Sequence, residues 1–438
     1  MDIYIETLGC LKNVCDSEAA AGILENAGHR VVESVAGAEA VLVNTCGFID
    51  DAKRESISKI FELANQKDDG AVLIVSGCLP QRYGEKLFAQ MPEVDVFIGV
   101  NDYSALPGII DGYSGKREKL FSPSGKEYVE TPHRRLLGKP FSAAIKIADG
   151  CDNACAYCVI PSIRGGCRSR AKENVVAEAA SLAKRGCKEL ILVAQDVTAY
   201  GWDLYGRPEL PQLLRELCKT DGIRWIRLMY CYEDRITEEL IETMKSEEKI
   251  CKYIDIPVQH CNDRILSSMN RRSTKGSIIS AVNRLRSAMP DIHIRSTVIA
   301  GLPGETREEF AELLDFIEEM RFERLGVFAY SKEEGTPAAK IKPQVRADVK
   351  ESRKDAIMLK QLEISHQLNA GKIGKTLEVL VEGADCEGAY YGRSRYDAPE
   401  IDNSVIFTSK DAHRPGDIVK VEITDAFDYD ITGREVHV

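Results

Sequence analysis

A chain of 438 residues has room for about three domains, and its 44% apolar content can furnish each with a core. A formal charge of −11 argues against a surface built mainly to hold nucleic acid. No run of about 18 apolar residues marks a membrane span, and the opening residues lack the basic and apolar regions of a secretory signal. Fourteen cysteines in such a chain read as metal ligands or buried thiols rather than disulfides, which fits a reducing, cytoplasmic setting.

The first hundred residues repeat one pattern: a short apolar strand, a cysteine, then a helix. Strands are expected over 3–7, 40–44 and 71–76, leading to Gly9-Cys10, Cys46-Gly47 and Gly77-Cys78. The cysteines stand 36 and 32 residues apart, about one βαβ unit each. Helical patterns over 16–27 and 52–66 lie between them. If the strands are parallel, all three cysteines fall at carboxyl ends and share the crevice where open α/β sheets bind ligands. The adjacent glycines let the backbone approach a bulky group closely. Three unrelated buried thiols are the plain alternative, and repetition at three strand ends weighs against it.

Residues 112–139 are rich in Gly, Pro, Ser and charge and read as a connector. From 141 to about 332 strands and helices alternate, with strands expected over 143–148, 189–194, 225–231, 253–258, 293–299 and 324–330. A helix over 173–185 ends at Gly186. Thr306 and Glu309 form a capping box before an apolar helical face. Six such units suggest a partial barrel of parallel strands, whose chemistry belongs at the strands' carboxyl ends.

Cys151, Cys155 and Cys158 follow the first of these strands after an Asp149-Gly150 turn. CxxxCxxC supplies three thiolates and no fourth from one loop. On a four-iron cluster that leaves one iron open to bind a small molecule, whereas a structural zinc normally takes four closed ligands. The spacing, with Tyr157 before the third cysteine, resembles the signature of radical S-adenosylmethionine (SAM) enzymes. Tyr157, and Gln195, Asp196, Gln259, Arg295 and Glu305 at or near later strand ends, are then candidates to hold SAM. A carboxylate or amide could bond the ribose and an arginine could meet the methionyl carboxylate. His260 is given no catalytic role. Cys15, Cys167, Cys187, Cys218, Cys231, Cys251, Cys261 and Cys386 lack such placement and are expected to be buried thiols.

A long helix over 346–369 leads to a small all-β unit with strands over 376–382, 390–393, 405–409 and 417–424 and a short final strand. This OB-like architecture often binds oligonucleotides. Between 374 and 438, however, seven Lys or Arg face fourteen Asp or Glu, a formal charge of −7. Such a tail repels RNA and suits a basic protein partner.

Together these parts resemble the methylthiotransferase family over essentially the whole chain. Gly9-Cys10-Leu11-Lys12-Asn13 and Asp16-Ser17-Glu18 are similar to its opening motif. Asn44-Thr45-Cys46-Gly47-Phe48-Ile49, Ile160-Pro161-Ser162-Ile163-Arg164-Gly165 and Asp397-Ala398-Pro399-Glu400-Ile401-Asp402 resemble the branch acting on ribosomal protein. Gly165-Gly166-Cys167 departs from the expected Gly-Asp or Gly-Pro. The resemblance implies an α/β fold in four segments. These are an amino-terminal parallel-sheet domain (1–115), a linker (116–138), a partial (β/α)6 radical SAM barrel (139–370) and a carboxy-terminal TRAM-type barrel (371–438).

It also implies two [4Fe–4S] clusters, one on Cys151, Cys155 and Cys158 and an auxiliary one on Cys10, Cys46 and Cys78. SAM would act as radical source and methyl donor. The implied product is a methylthio group on the β-carbon of an aspartate in small-subunit ribosomal protein twelve. A flavodoxin- or ferredoxin-like protein would supply electrons, and no direct RNA target or membrane partner is expected. The rival readings are a tRNA adenosine methylthiotransferase, a non-catalytic iron–sulfur carrier or assembly factor, and a zinc-binding scaffold.

Overall fold

The computed structural model describes residues 1–125, 128–131 and 133–437. Residues 126, 127 and 132 of the expected connector, and residue 438 of the tail, lie outside the described residues. Two six-stranded sheets, a closed barrel and one two-stranded pair make up the strands of the described residues.

The first is a parallel sheet of β1 (Asp2–Thr7), β2 (Arg30–Val32), β3 (Ala40–Thr45), β4 (Val72–Gly77), β5 (Val96–Ile98) and β6 (Glu118–Leu120). Its spatial order is β2-β1-β3-β4-β5-β6. β3 and β4 are buried along their whole length, as strands covered by helices on both faces must be. Strand order reverses at β1, so the crevice beyond β1 and β3 is the ligand position of such a sheet. β6 lies inside the segment read as a linker, where its exposed Glu-Lys-Leu carries no apolar alternation; pairing with β5 makes it a strand. The helix expected over 16–27 starts five residues earlier, at Leu11, directly after Cys10.

The second system is an open sheet of six parallel strands with order β14-β13-β12-β11-β10-β7. In chain order these are β7 (Ser142–Lys146), β10 (Glu189–Val193), β11 (Trp225–Leu228), β12 (Ile250–Gln259), β13 (His293–Ala300) and β14 (Arg324–Ala329), while β8 (Ala148–Asp149) and β9 (Arg168–Ser169) form a separate short antiparallel pair between β7 and β10 in the chain. Alternating residues divide between two cores. Ile145, Leu190, Leu192, Ile226, Leu228, Ile254 and Ile294 pack under the surrounding helices. Ala144, Ile191, Val193, Trp225, Met229 and Tyr253 fill the concave face.

The third is a closed barrel of β15 (Thr376–Ala384), β16 (Tyr390–Ser394), β17 (Val405–Thr408), β18 (Ile418–Ala426) and β19 (Ile431–Glu435), reached through the helix Ala347–Ala370. Leu380 and Ala398 of this barrel, and Leu11 and Cys15 of the first helix, join the same apolar cluster as the concave face. Buried ions reinforce the seam at the tail. Glu189 accepts from Arg227 Nε at 2.9 Å and Arg393 Nη2 at 2.6 Å, and Arg324 Nη2 donates to Asp397 at 2.6 Å. All three systems thus meet in the partial barrel. No helix among the described residues is long and apolar enough to cross a membrane.

Candidate active site

Cys10, Cys46 and Cys78 follow β1, β3 and β4, and the structure brings them to one crevice. A Cβ on Gly9 would lie 2.8 Å from Cys46 Cβ and 3.3 Å from its Sγ, so only glycine permits that approach. Asn13 Nδ2 donates to Leu8 O at 2.8 Å and Thr45 O at 3.2 Å, and Asn44 Nδ2 donates to Asn13 O and Ser17 Oγ, each at 2.9 Å. These bonds tie the strand ends that carry the thiols.

Charge divides the triad. Burial pushes the Cys10 thiol up, but Lys12, Arg164 and the amides of Asn13 and Lys12 outweigh it and hold Cys10 below its ordinary value. Burial dominates at Cys46, raised to about 12. It also raises Cys78, against the pull of Arg164.

The second triad sits in a loop closed at its base by β8 and β9. Gly150 has φ +77°, and a side chain there would strike the backbone of Gly165 and Gly166. Cys151 N donates to Gly165 O at 3.0 Å and Ala156 N to Met269 O at 2.8 Å. Cys155 Sγ lies 2.8 Å from Tyr232 Oη. Burial lifts Cys151 to about 11 and Cys158 to about 12. Cluster iron binds thiolates, so loading must expel those protons.

A cleft of about 330 Å³ opens beside Cys151, lined among others by Asn153, Asp196, Trp202, Arg235 and Arg272. Asp196 stands in it, accepting from Asn153 Nδ2 at 2.9 Å and from Arg235 while capping residues 197–199. Gln195 Nε2 donates to Asp149 at 3.0 Å, and its Oε1 is buried without a partner. Tyr157 is half-buried against the barrel core. Gln259 ends β12 with φ +68°.

Arg295 and Glu305 stand apart from this cleft. Arg295 lies between Asp255 and Asp402, 3.4 Å from each. Glu305 is buried, accepting from Leu302 N at 2.9 Å and facing Arg353 at 3.3 Å. Of the eight cysteines expected to be buried thiols, Cys386 is exposed, because it lies in the turn between β15 and β16. Cys167 and Cys218 are half-buried, and Cys167 lines the cleft.

The residues that join the two triads carried no role in the sequence reading. Arg164 reaches from the barrel into the first sheet, donating from Nη2 to Asp16 at 2.8 Å, Asn13 Oδ1 at 3.0 Å and Cys78 Sγ at 3.4 Å. Its Nη1 meets both oxygens of Asp149 at 3.2 Å. Lys146 bridges the same pair, touching Asp16 and lying 3.1 Å from Asp149. Lys12 crosses the other way and donates to Ala194 O at 3.4 Å. The available signal was position: Lys12 sits two residues after Cys10 and Arg164 six after Cys158, both inside motifs already singled out.

Among the described residues only Asp411, Glu435 and His437 bring three ligand atoms within 4.8 Å of one another. Each triad offers three thiols, a donor set that suits a four-iron cluster with one open iron rather than the closed four-ligand set of a structural zinc. The orphaned Gln195 oxygen, beside Asp149 at the base of the cysteine loop, suits a further bound polar group.

The fold and the paired triads define a radical SAM enzyme. Residues 145–317 match the radical SAM superfamily, residues 2–99 the uncharacterized protein family UPF0004 and residues 373–436 the TRAM domain. The chain is 45% identical over 437 residues to the ribosomal protein uS12 methylthiotransferase RimO of Clostridioides difficile, covering 99% of this chain and 98% of the relative. It is 48% identical to the RimO of Geobacter sulfurreducens, covering 98% of each. The radical SAM methyltransferase TsrM of Kitasatospora setae shares the fold at 15% identity, with TM-score 0.56 over 77% of this chain and 73% of that one. The chain belongs to the RimO family of radical SAM methylthiotransferases, and its cofactors are SAM and [4Fe–4S] clusters.

Proposed function

We propose that this enzyme adds a methylthio group to the β-carbon of an aspartate in ribosomal protein uS12. Full-length similarity to RimO proteins carries the reading, and the acidic tail, with a formal charge of −7 from 374 to 438, supports a basic protein target over tRNA. Cys151, Cys155 and Cys158 are assigned to the radical-generating cluster and Cys10, Cys46 and Cys78 to the auxiliary one. We divide the chain into an amino-terminal domain (1–115), a linker (116–138), a radical SAM domain (139–370) and a TRAM domain (371–438), and place it in the cytoplasm, served by a low-potential electron donor.

When bound, the clusters and SAM supply hydrogen abstraction, sulfur and the methyl group. The chain's own residues do the rest. The Asn13, Ser17 and Asn44 bonds fix three thiols in one crevice. Arg164 and Lys12 set positive charge against the Cys10 thiolate. The Asp16–Lys146–Asp149–Arg164 group holds that crevice against the barrel mouth. Tyr157, Gln195 and Asp196 are the assigned SAM neighbours, with Gln259, Arg295 and Glu305 as more distant candidates.

The test is anaerobic reconstitution with iron and sulfide, followed by incubation with SAM, a reductant and either uS12 or tRNA. Methylthio mass on the uS12 aspartate alone is expected. Incorporation into tRNA alone would overturn the substrate assignment, and absence of 5′-deoxyadenosine would favour a non-catalytic carrier.

A further inference from the structure

Lys12 is buried two residues after Cys10, and among the described residues its charge has no carboxylate partner. Its ammonium sits 3.6 Å from the centroid of the Tyr230 ring and 3.4 Å from Ala194 O. Among the described residues it has no carboxylate within ion-pair distance, although it is only 8% exposed. Arg164, the other cation reaching Cys10, is already taken by Asp16 and Asp149. Lys12 follows Cys10 of one triad by two residues, and its ammonium bonds Ala194 O, two residues before the Asp196 that lines the cleft beside Cys151, so it reaches from one site to the other.

Its support is also unusual. Tyr230, just beyond β11, has φ +59°, a left-handed conformation that non-glycine residues seldom adopt. The backbone there is fixed from both sides: Tyr230 N donates to Asp255 Oδ2 at 3.1 Å, and Tyr230 O accepts from Val197 N at 3.0 Å. Such conformations persist where surroundings over-determine them, and they cluster at ligand clamps. Here the geometry presents an aromatic face to a buried ammonium.

We propose that Lys12 recognises the side-chain carboxylate of the substrate aspartate. This rests on the function proposed above. The reacting β-carbon is bonded to that carboxylate, so the carboxylate must be buried beside the reacting groups. A buried carboxylate needs a cation. Lys12 is a buried cation at that place with no carboxylate partner among the described residues, and its point charge can take an anion without displacing an existing ion pair.

The test compares two synthetic peptides spanning the target segment of uS12, identical except for aspartate or asparagine at the acceptor position. Dissociation constants are measured on the anaerobically reconstituted enzyme and on Lys12→Gln and Lys12→Arg variants, with iron, sulfide and SAM affinity recorded for each. In the wild type the aspartate peptide should bind more tightly. Lys12→Gln should weaken it by about tenfold or more while leaving the asparagine peptide within about twofold, and Lys12→Arg should restore most of the preference.

Equal loss for both peptides, or an unchanged preference, would overturn the assignment. So would a fall in cluster iron or SAM affinity with the preference intact, since Lys12 would then serve the cofactors. A wild-type enzyme that binds and modifies neither peptide overturns the uS12 reading itself, and the Lys12 assignment with it.

Discussion

The Arg164 guanidinium donates to Cys78 Sγ at 3.4 Å, linking a barrel side chain to a thiol of the amino-terminal sheet. Through the same group Asp16 of the first helix and Asp149 of the barrel share one cation. Arg164 ends the short helix Ile160–Arg164 on the path from Cys158 to β9. The two triads are therefore positioned relative to one another by a buried ion group as well as by apolar packing.

Arg164→Met should leave Asp16 and Asp149 with Lys146 as their remaining cation partner. Removing one member of a buried ion group costs roughly 3–5 kcal/mol. Denaturant unfolding of the unloaded protein should show a loss of that order. A variant within about 0.5 kcal/mol of wild type, the range of ordinary surface substitutions, would contradict the role given to Arg164.

Gly77→Ala tests the backbone that delivers Cys78. Gly77 has φ +98°, and a Cβ there would lie 2.5 Å from Thr45 O and 2.7 Å from Thr45 N, and would also meet Asn44 Oδ1. Conformational strain and overpacking should together cost roughly 2–5 kcal/mol. Gly28→Ala has the same kind of positive φ (+92°) and open space around it, and should cost less. Thermal unfolding of the two variants side by side checks the difference.

Docking of the tail barrel should depend on acid pH through Glu189. Burial alone would raise this carboxyl, but Arg393 and Arg227 outweigh it, with Ser142 also bonding it, and hold it at about 2, below its ordinary 4.5. A depressed folded value means the stabilisation is complete above about 4.5 and is lost as pH falls towards 2. The shift corresponds to an order of 3 kcal/mol. Glu189→Gln should flatten the pH dependence of stability across this window, measured by urea unfolding at stepped pH.

Cys386 should be the first thiol to react with iodoacetamide in the loaded enzyme. It is exposed, whereas Cys231, Cys251 and Cys261 are fully buried. Peptide mass spectrometry after brief alkylation should find the label at Cys386 well before those three. Earlier labelling of Cys251 would contradict the packing beneath the partial barrel.

Strand-ending cysteines were legible because a parallel sheet puts carboxyl ends together, so Cys10, Cys46 and Cys78 could be assigned to one crevice from spacing alone. The barrel strands were legible as apolar runs for the same reason. β6 was not, since its exposed residues have no alternation and only its pairing with β5 makes it a strand. Lys12 and Arg164 were visible as motif members but not as bridges. Their partners, Ala194 and Tyr230 for one, Asp16 and Cys78 for the other, lie 86 to 218 positions away in the chain. Arg295 and Glu305 show the converse: position near a strand end does not say whether a side chain faces the cleft or an internal ion pair.

Counting iron and products in a triple Cys10→Ala, Cys46→Ala, Cys78→Ala variant tests the two-cluster arrangement most directly. The reconstituted wild type should hold about eight irons and the variant about four. The variant should still form 5′-deoxyadenosine from SAM while making no methylthio product on uS12. Full iron content in the variant, or continued methylthiolation, would contradict the assignment of a second cluster to the amino-terminal crevice.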